Sequence, residues 1–361
     1  MPFKSTFSAF KSQLKDLHQE GQRLLNEHSQ KHQQQPPQNQ PQTAQSYYPG
    51  QGAHQPQNFY PGQQPQPYYQ GGLQHQQQQV PPPVPQSTRP TIPGQPPSSP
   101  AVYWQPRFDP LTPVSAEWEH KLGNNNGWGN NEKQYYTDDN ANSFYTPNHL
   151  LVLRAISQPA NPDPSKKYTS ARLVSRQRLA RPRGSLIATL TLPCASGIWP
   201  AFWLLPFEPF TWPTDGEVDI AETWNGDGVN HSCLHWGFYT PQDKDKHRVV
   251  PTFVQGMQQG RPVRFEFAWQ QDESTGQGRL LWWIDGRAVM KAPIPQGTRR
   301  MADFVVLLNI AMGGNVCQGQ EPREGAYDLV VHEMKMQEEP EMGGWARFDG
   351  DWSWVREGDT M

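Results

Sequence analysis

The amino-acid sequence predicts an all-β sandwich preceded by a non-globular N-terminal segment, on three observations. Short β-rich runs punctuated by turn residues recur from Trp104 onward. No long segment with a 3.6-residue apolar period interrupts them. All 14 tryptophans of the 361-residue chain lie at or after Trp104, so the apolar material for a core belongs to the second part. The predicted strands are Leu150–Arg154, Arg183–Leu192, Trp199–Leu205, Glu217–Glu222, Val263–Trp269, Arg279–Ile284, Phe304–Ala311 and Tyr327–Met336. Asp285-Gly286 closes a hairpin, because both residue types tolerate the backbone that a two-residue turn demands.

The segments before the sandwich differ in kind. Phe3, Phe7, Phe10, Leu14, Leu17 and Leu24 fall at alternating four- and three-residue steps, with Gly21 at the interrupted position, and predict a short amphipathic helix within residues 1–30. Such a stripe suits a protein partner, self-association or a peripheral membrane surface. Four Lys/Arg against three acids give it little pull toward anionic lipid. Lys4, Lys11, Lys15 and Asp16 break up any apolar run that a secretory signal needs, and Asp16, Glu20 and Glu27 disfavour a mitochondrial presequence. With no transmembrane run either, the expected location is cytoplasmic or intracellular.

Residues 31–100 carry charge only at Lys31 and Arg89 and are dominated by Gln and Pro, with Gly and Tyr. A stretch of that composition buries too little apolar surface to offset its ordering entropy, so it is expected to be a disordered linker. Tyr47-Tyr48-Pro49-Gly50, Phe59-Tyr60-Pro61-Gly62 and Tyr68-Tyr69-Gln70-Gly71 form a loose repeat within it. The net charge of −3 leaves no nucleic-acid footprint. Cys194, Cys233 and Cys317 are too few and too scattered for a metal site or a disulfide framework. Asn230-His231-Ser232 matches a glycosylation sequon inside a predicted β region.

The chemistry concentrates at Glu217-Val218-Asp219-Ile220-Ala221-Glu222, three carboxyl groups inside an apolar stretch. Alternation along a strand puts Glu217 and Asp219 on one face and Glu222 on the other. One inserted residue between Asp219 and Glu222, a β-bulge, returns Glu222 to the face of Glu217. Two carboxyl groups facing each other suit retaining glycoside hydrolysis, in which one attacks the anomeric carbon and the other protonates the leaving oxygen. The charge of Asp219 between them favours keeping a proton on the acid. A solvated acidic face is the plainer alternative for these residues alone.

Upstream stands Gly197-Ile198-Trp199-Pro200-Ala201-Phe202-Trp203-Leu204-Leu205-Pro206, leading through Trp212-Pro213 to the acidic strand. Tryptophan offers the flat apolar face that packs on a pyranose. Together these segments resemble the signature of glycoside hydrolase family 16 in its laminarinase-like branch. Gly127-Trp128-Gly129-Asn130-Asn131-Glu132, Tyr168-Thr169-Ser170-Ala171-Arg172-Leu173, Leu234-His235-Trp236-Gly237, Trp283-Ile284-Asp285-Gly286 and Leu308-Asn309-Ile310-Ala311-Met312-Gly313-Gly314-Asn315 resemble further motifs of that family, in its order. The likeness spans about residues 102–336.

The resemblance implies a concanavalin A-like jelly roll. It gives Glu217 as nucleophile, Glu222 as general acid and then base, and Asp219 as the residue that orients and tunes them. It also implies substrate contacts at Asn130, Arg172, Trp199, Trp203 and His235, and a β-1,3-linked or mixed β-1,3/1,4 glucan as substrate. Each has a plain alternative: core filling for the tryptophans, charge neutralisation for Arg172, a buried histidine at 235, and turn formation at Asn130 beside Asn124-Asn125-Asn126. A non-catalytic β-glucan-binding module or a transglycosylase are the competing functions. No cofactor is expected. A structural calcium is not evident, since Arg107-Phe108-Asp109-Pro110 stands where the family often has Asp-Glu-Phe-Asn; Asp328 is the one ligand considered. Residues 337–361, with Trp345, Trp352 and Trp354, lie outside the likeness and are expected to cover the sandwich or extend its cleft.

Overall fold

A computed structural model describes residues 100–360, except 239 and 244. Two sheets, almost wholly antiparallel, pack face to face as the predicted jelly-roll sandwich. One has seven strands: β1 (Trp118–His120), β2 (Arg172–Arg178), β3 (Ile198–Pro206), β4 (Glu217–Glu222), β5 (Val229–His235), β6 (His247–Phe253) and β7 (Phe304–Met312), in the spatial order β6-β5-β4-β3-β7-β2-β1. The ten-stranded sheet is centred on Arg183–Thr191, flanked by Val263–Gln271 and Gly325–Gln337. The inner faces interdigitate in one core, with Phe202, Val218 and Leu308 from the first sheet meeting Leu186, Phe265 and Trp282 from the second.

All nine residues of β7 are buried, because its outward face is covered as well. There Leu205, Val305 and Leu307 pack with Val174, Trp203, Phe210 and Trp212. That second cover explains why β7 reads as a continuous apolar run rather than an alternating one. β3, β4 and β7 match the predicted strands to within one residue at each end. Asp285 and Gly286 take φ of 48° and 77°, as the hairpin requires.

β6 and Arg287–Pro293 were not predicted. β6 is the edge of its sheet and contains Pro251, a residue that cannot donate to a ladder and so blurs a strand signal. One helix that the sequence did not single out follows the sandwich: α1 spans Gly344–Trp354. Its stripe of Trp345, Phe348 and Trp352 is only two steps long, too short to register as a period. The stripe docks on Ala268, Leu281, Trp283 and Ala288, the outer face of the ten-stranded sheet. The C-terminal extension therefore covers the sandwich and does not extend the cleft, which lies on the opposite sheet.

Both oxygens of Asp328 accept from Arg154, through Nε and Nη2 at 2.8 Å each, a bidentate pair. No helix among the described residues is long and apolar enough to cross a membrane. The expected helix in residues 1–30 and nearly all of the Gln/Pro-rich segment fall outside the described residues.

Candidate active site

The register of β4 shows how three acids come to share a face. Asp219 stands opposite Trp203 of β3, and Ala221 opposite Phe202, so Ile220 is the extra residue of a β-bulge. Glu222 then pairs with Ala201, on the same side of the sheet as Trp203 and Asp219. The bulge expected from the sequence is present where it was placed. On the other flank Glu217 faces His235 and Asp219 faces Cys233 of β5.

Each outer carboxyl is held by an indole. Trp212 Nε1 donates to Glu217 Oε2 at 2.6 Å, and Trp199 Nε1 donates to Glu222 Oε1 at 2.8 Å. Asp219, only 4% exposed, has its Oδ2 at 3.2 Å from His235 Nε2, an ion pair set off the hydrogen-bond axis, so Oδ2 has no directed donor. Nδ1 of His235 lies 3.0 Å from Nδ1 of His247. One of these nitrogens must carry the proton that the other accepts.

The electrostatics divide the roles. Burial, then the charge of Asp219, pushes Glu217 up to about 7 against the opposing pull of His235, Trp212 and Arg172. Burial and Asp219 hold Glu222 well above the usual carboxylate range, with Glu217 adding to the shift. Burial works against charge on His235, but its contact with Asp219 and the neighbouring glutamates outweigh it and raise the ring to about 9. His247 is driven down to about 3 by burial and by the charge on His235. At neutral pH the ring of His235 is thus cationic, donates from Nδ1 to a neutral His247, and faces the Asp219 carboxylate. Glu222 keeps its proton while Glu217 is poised to lose its own.

The other predicted contacts separate. Trp199 and Trp203 are half-buried on the cleft face of β3, available to a sugar. Arg172 is 5% exposed and lies behind the wall, its guanidinium between the rings of Trp128 at 4.6 Å and Trp203 at 4.7 Å. Its Nε and Nη2 are buried without a hydrogen-bond partner, so its position is that of a charge and a support rather than an exposed sugar contact. Asn130 sits in a loop where Asn125, Asn126 and Asn131, not Asn130 itself, take the left-handed backbone. Gly314 allows that loop to approach β7, because a Cβ there would stand 2.4 Å from the carbonyl of Asn130.

Sequence reasoning missed several members of the site. Trp212 lay in a quoted motif without a role. Asn309 accepts from Trp203 Nε1 at 2.7 Å and donates to the hydroxyl of Tyr136 at 3.1 Å, fixing the ring plane of Trp203. Glu132, buried and raised to about 7 chiefly by desolvation, accepts from Gln134 Nε2 at 2.5 Å beside Arg172. His247 carried no signal, since only pairing across β5 and β6 brings it to His235.

A family model described as "XgeA-like, catalytic GH16 domain" matches residues 124–276, which include the whole acidic strand. A β-glucanase of Rhodothermus marinus is 29% identical over 246 residues, covering 64% of this chain and 82% of its own. Glucan endo-1,3-beta-glucosidase A1 of Niallia circulans is 26% identical over 260 residues, covering 63% of this chain and only 36% of its own. The structure of an endo-beta-1,3-glucanase from Pyrococcus furiosus superposes with a TM-score of 0.55 at 25% identity, over 66% of this chain and 94% of that one. Residues 124–276 thus match a catalytic domain of glycoside hydrolase family 16.

Within this family 16 domain the three cysteines are free thiols, with Cys233 and Cys317 buried. Cys233 Sγ lies 3.9 Å from Glu222 Oε2, a weak donor that complements a carboxyl group. The sequon residue Asn230 is 0% exposed, which removes it from any modifying enzyme in the folded domain.

Proposed function

We propose that the domain is a retaining, endo-acting glycoside hydrolase that cleaves β-1,3-linked or mixed β-1,3/1,4 glucan. The bulge at Ile220 carries this reading, because it alone sets Glu217 and Glu222 on one face with Asp219 between them. Glu217, ionised, attacks the anomeric carbon as the glycosidic bond breaks, and the proton of Glu222 goes to the departing sugar oxygen. Glu222, now a carboxylate, takes a proton from water, whose oxygen displaces Glu217 and restores both groups. Asp219 keeps the proton on Glu222 in the first step, and the cationic His235 prevents its charge from being buried unpaired. Trp199 and Trp203 offer the apolar faces on which glucose rings pack. The chain's own carboxyl groups supply every proton and the nucleophile, so no cofactor is invoked.

The relatives reported above are a β-glucanase and a glucan endo-1,3-beta-glucosidase, which supports β-glucan as the substrate class. Reducing-sugar release from laminarin, lichenan and a galactan tests it: laminarin is hydrolysed, lichenan is the second arm, and galactan is untouched. Proton NMR of the first product should show the β-anomer. An α-anomer appearing first excludes the double displacement.

A further inference from the structure

Pairing between β4 and β5 stops at Asp219–Cys233. Past that rung the bulge has displaced the backbone of Ile220 and Glu222, and a buried side chain fills the gap. Asn230 Oδ1 accepts the backbone N–H of Glu222 at 3.1 Å, and its Nδ2 donates to the backbone carbonyl of Ile220 at 3.3 Å. Nδ2 also reaches Ser232 Oγ at 3.3 Å. The amide thus supplies one acceptor and one donor, as a partner strand's peptide would. Alternation with His231, Cys233 and His235 places Asn230 on the core side of β5, beneath the cleft floor, and it is 0% exposed.

We propose that Asn230 is the positioning residue of the acid/base carboxyl: its amide replaces the missing rung, locks the bulge, and so aims Glu222 at the glycosidic oxygen. The inference rests on the reading of Glu222 as general acid. Its logic is one of register. Were Ile220 paired regularly instead of bulged, the period of two would turn Glu222 toward the core, so whatever stabilises the bulge decides where the proton is delivered. A hydrocarbon at 230 would leave a buried N–H and C=O without partners and would favour a rearranged bulge.

The test compares substrates that need the proton with one that does not. An aryl β-laminaribioside with a 2,4-dinitrophenolate leaving group departs without protonation, whereas laminarin and the phenyl laminaribioside require it. kcat/KM reports the glycosylation step for each. In Asn230→Leu it should fall roughly 10²-fold for laminarin and the phenyl glycoside, the scale of general acid catalysis, and by less than about threefold for the dinitrophenyl glycoside. Ser232→Ala, which leaves both bulge bonds in place, should behave as wild type on all three. A folded Asn230→Leu protein that slows every substrate by the same factor, or none, overturns the proposal. Asn230→Ala and Asn230→Asp are read by the same ratio should the leucine variant not fold. Wild-type protein inactive on laminarin and on both glycosides defeats the hydrolase reading itself, whereas equal slowing in the variants of an active wild type defeats only the role of Asn230.

Discussion

Glu217 and Glu222 are chemically identical and differ only in surroundings, and in the proposed mechanism that difference makes one the nucleophile and the other the acid. Glu217→Gln should lower turnover by at least about 10³-fold while leaving oligosaccharide affinity within about tenfold, because the lost interaction forms only in the transition state. Single-turnover kinetics with an equilibrium binding assay checks this; near-normal turnover removes Glu217 from the nucleophile's role. The pH dependence follows from the raised carboxyl groups. With Glu217 near 7, kcat/KM should fall as pH drops through that value and protonates the nucleophile, and fall again at high pH as Glu222 loses its proton. Stability carries the opposite bias on the acid side. A glutamate raised in the fold binds a proton that the unfolded chain has released, so its contribution to stability declines as pH rises from the ordinary carboxylate range to about 7. Glu217→Gln should therefore unfold at a higher temperature than wild type near neutral pH, with the gap closing toward pH 4.

At the scale of elements, the cleft is built where β3, β4 and β7 meet the loops before and between them. Trp203 projects from β3, bonds Asn309 on β7 and covers Arg172 on β2, so a single ring ties three strands to the wall. Trp203→Ala should weaken kcat/KM on glucan by about 1–3 kcal/mol, roughly 5- to 150-fold, through lost ring stacking. A Trp203 that only packs would lower the melting temperature and leave kcat/KM of the folded fraction unchanged. Trp212 belongs to the loop between β3 and β4, and its indole bond stabilises the ionised form of Glu217. Trp212→Phe keeps the apolar body and removes that bond, so the acidic limb of the kcat/KM profile should move to higher pH. A limb that stays in place assigns Trp212 to packing alone.

At the scale of the whole molecule, catalysis and cover occupy opposite faces of the sandwich. Phe348 is fully buried between α1 and the outer face of the ten-stranded sheet, far from the acids on β4. Phe348→Ala should cost about 3–5 kcal/mol of stability and leave kcat/KM of the folded protein as in wild type. Thermal unfolding beside steady-state kinetics separates the two, and a matching loss of activity would show that the faces are coupled. A chain beginning at Pro100 retains every strand of both sheets. It should fold and hydrolyse glucan at close to the full-length rate, which leaves the first hundred residues to association or location; a folded but inactive truncation ends that reading.

The sequence by itself determined what is local in range. The alternation and turn residues gave the central strands to within a residue, and the spacing of Glu217, Asp219 and Glu222 required a bulge because a period of two permits nothing else on one face. It also carried the ordered tryptophan and glycine motifs by which the family is legible. What only the tertiary structure decided depends on pairing between distant segments. The partner of His235 is His247 across β5 and β6, the bonds of Asn230 exist only because β5 lies beside the bulge, and Arg172 proves to be walled in by Trp128 and Trp203. Edge strand β6 and helix α1 escaped because each presents a weak period and is held mainly by its docking surface. The raised pKa values of Glu217 and Glu222 belong to the same class, since burial and through-space charge are properties of the packed molecule rather than of any stretch of its chain.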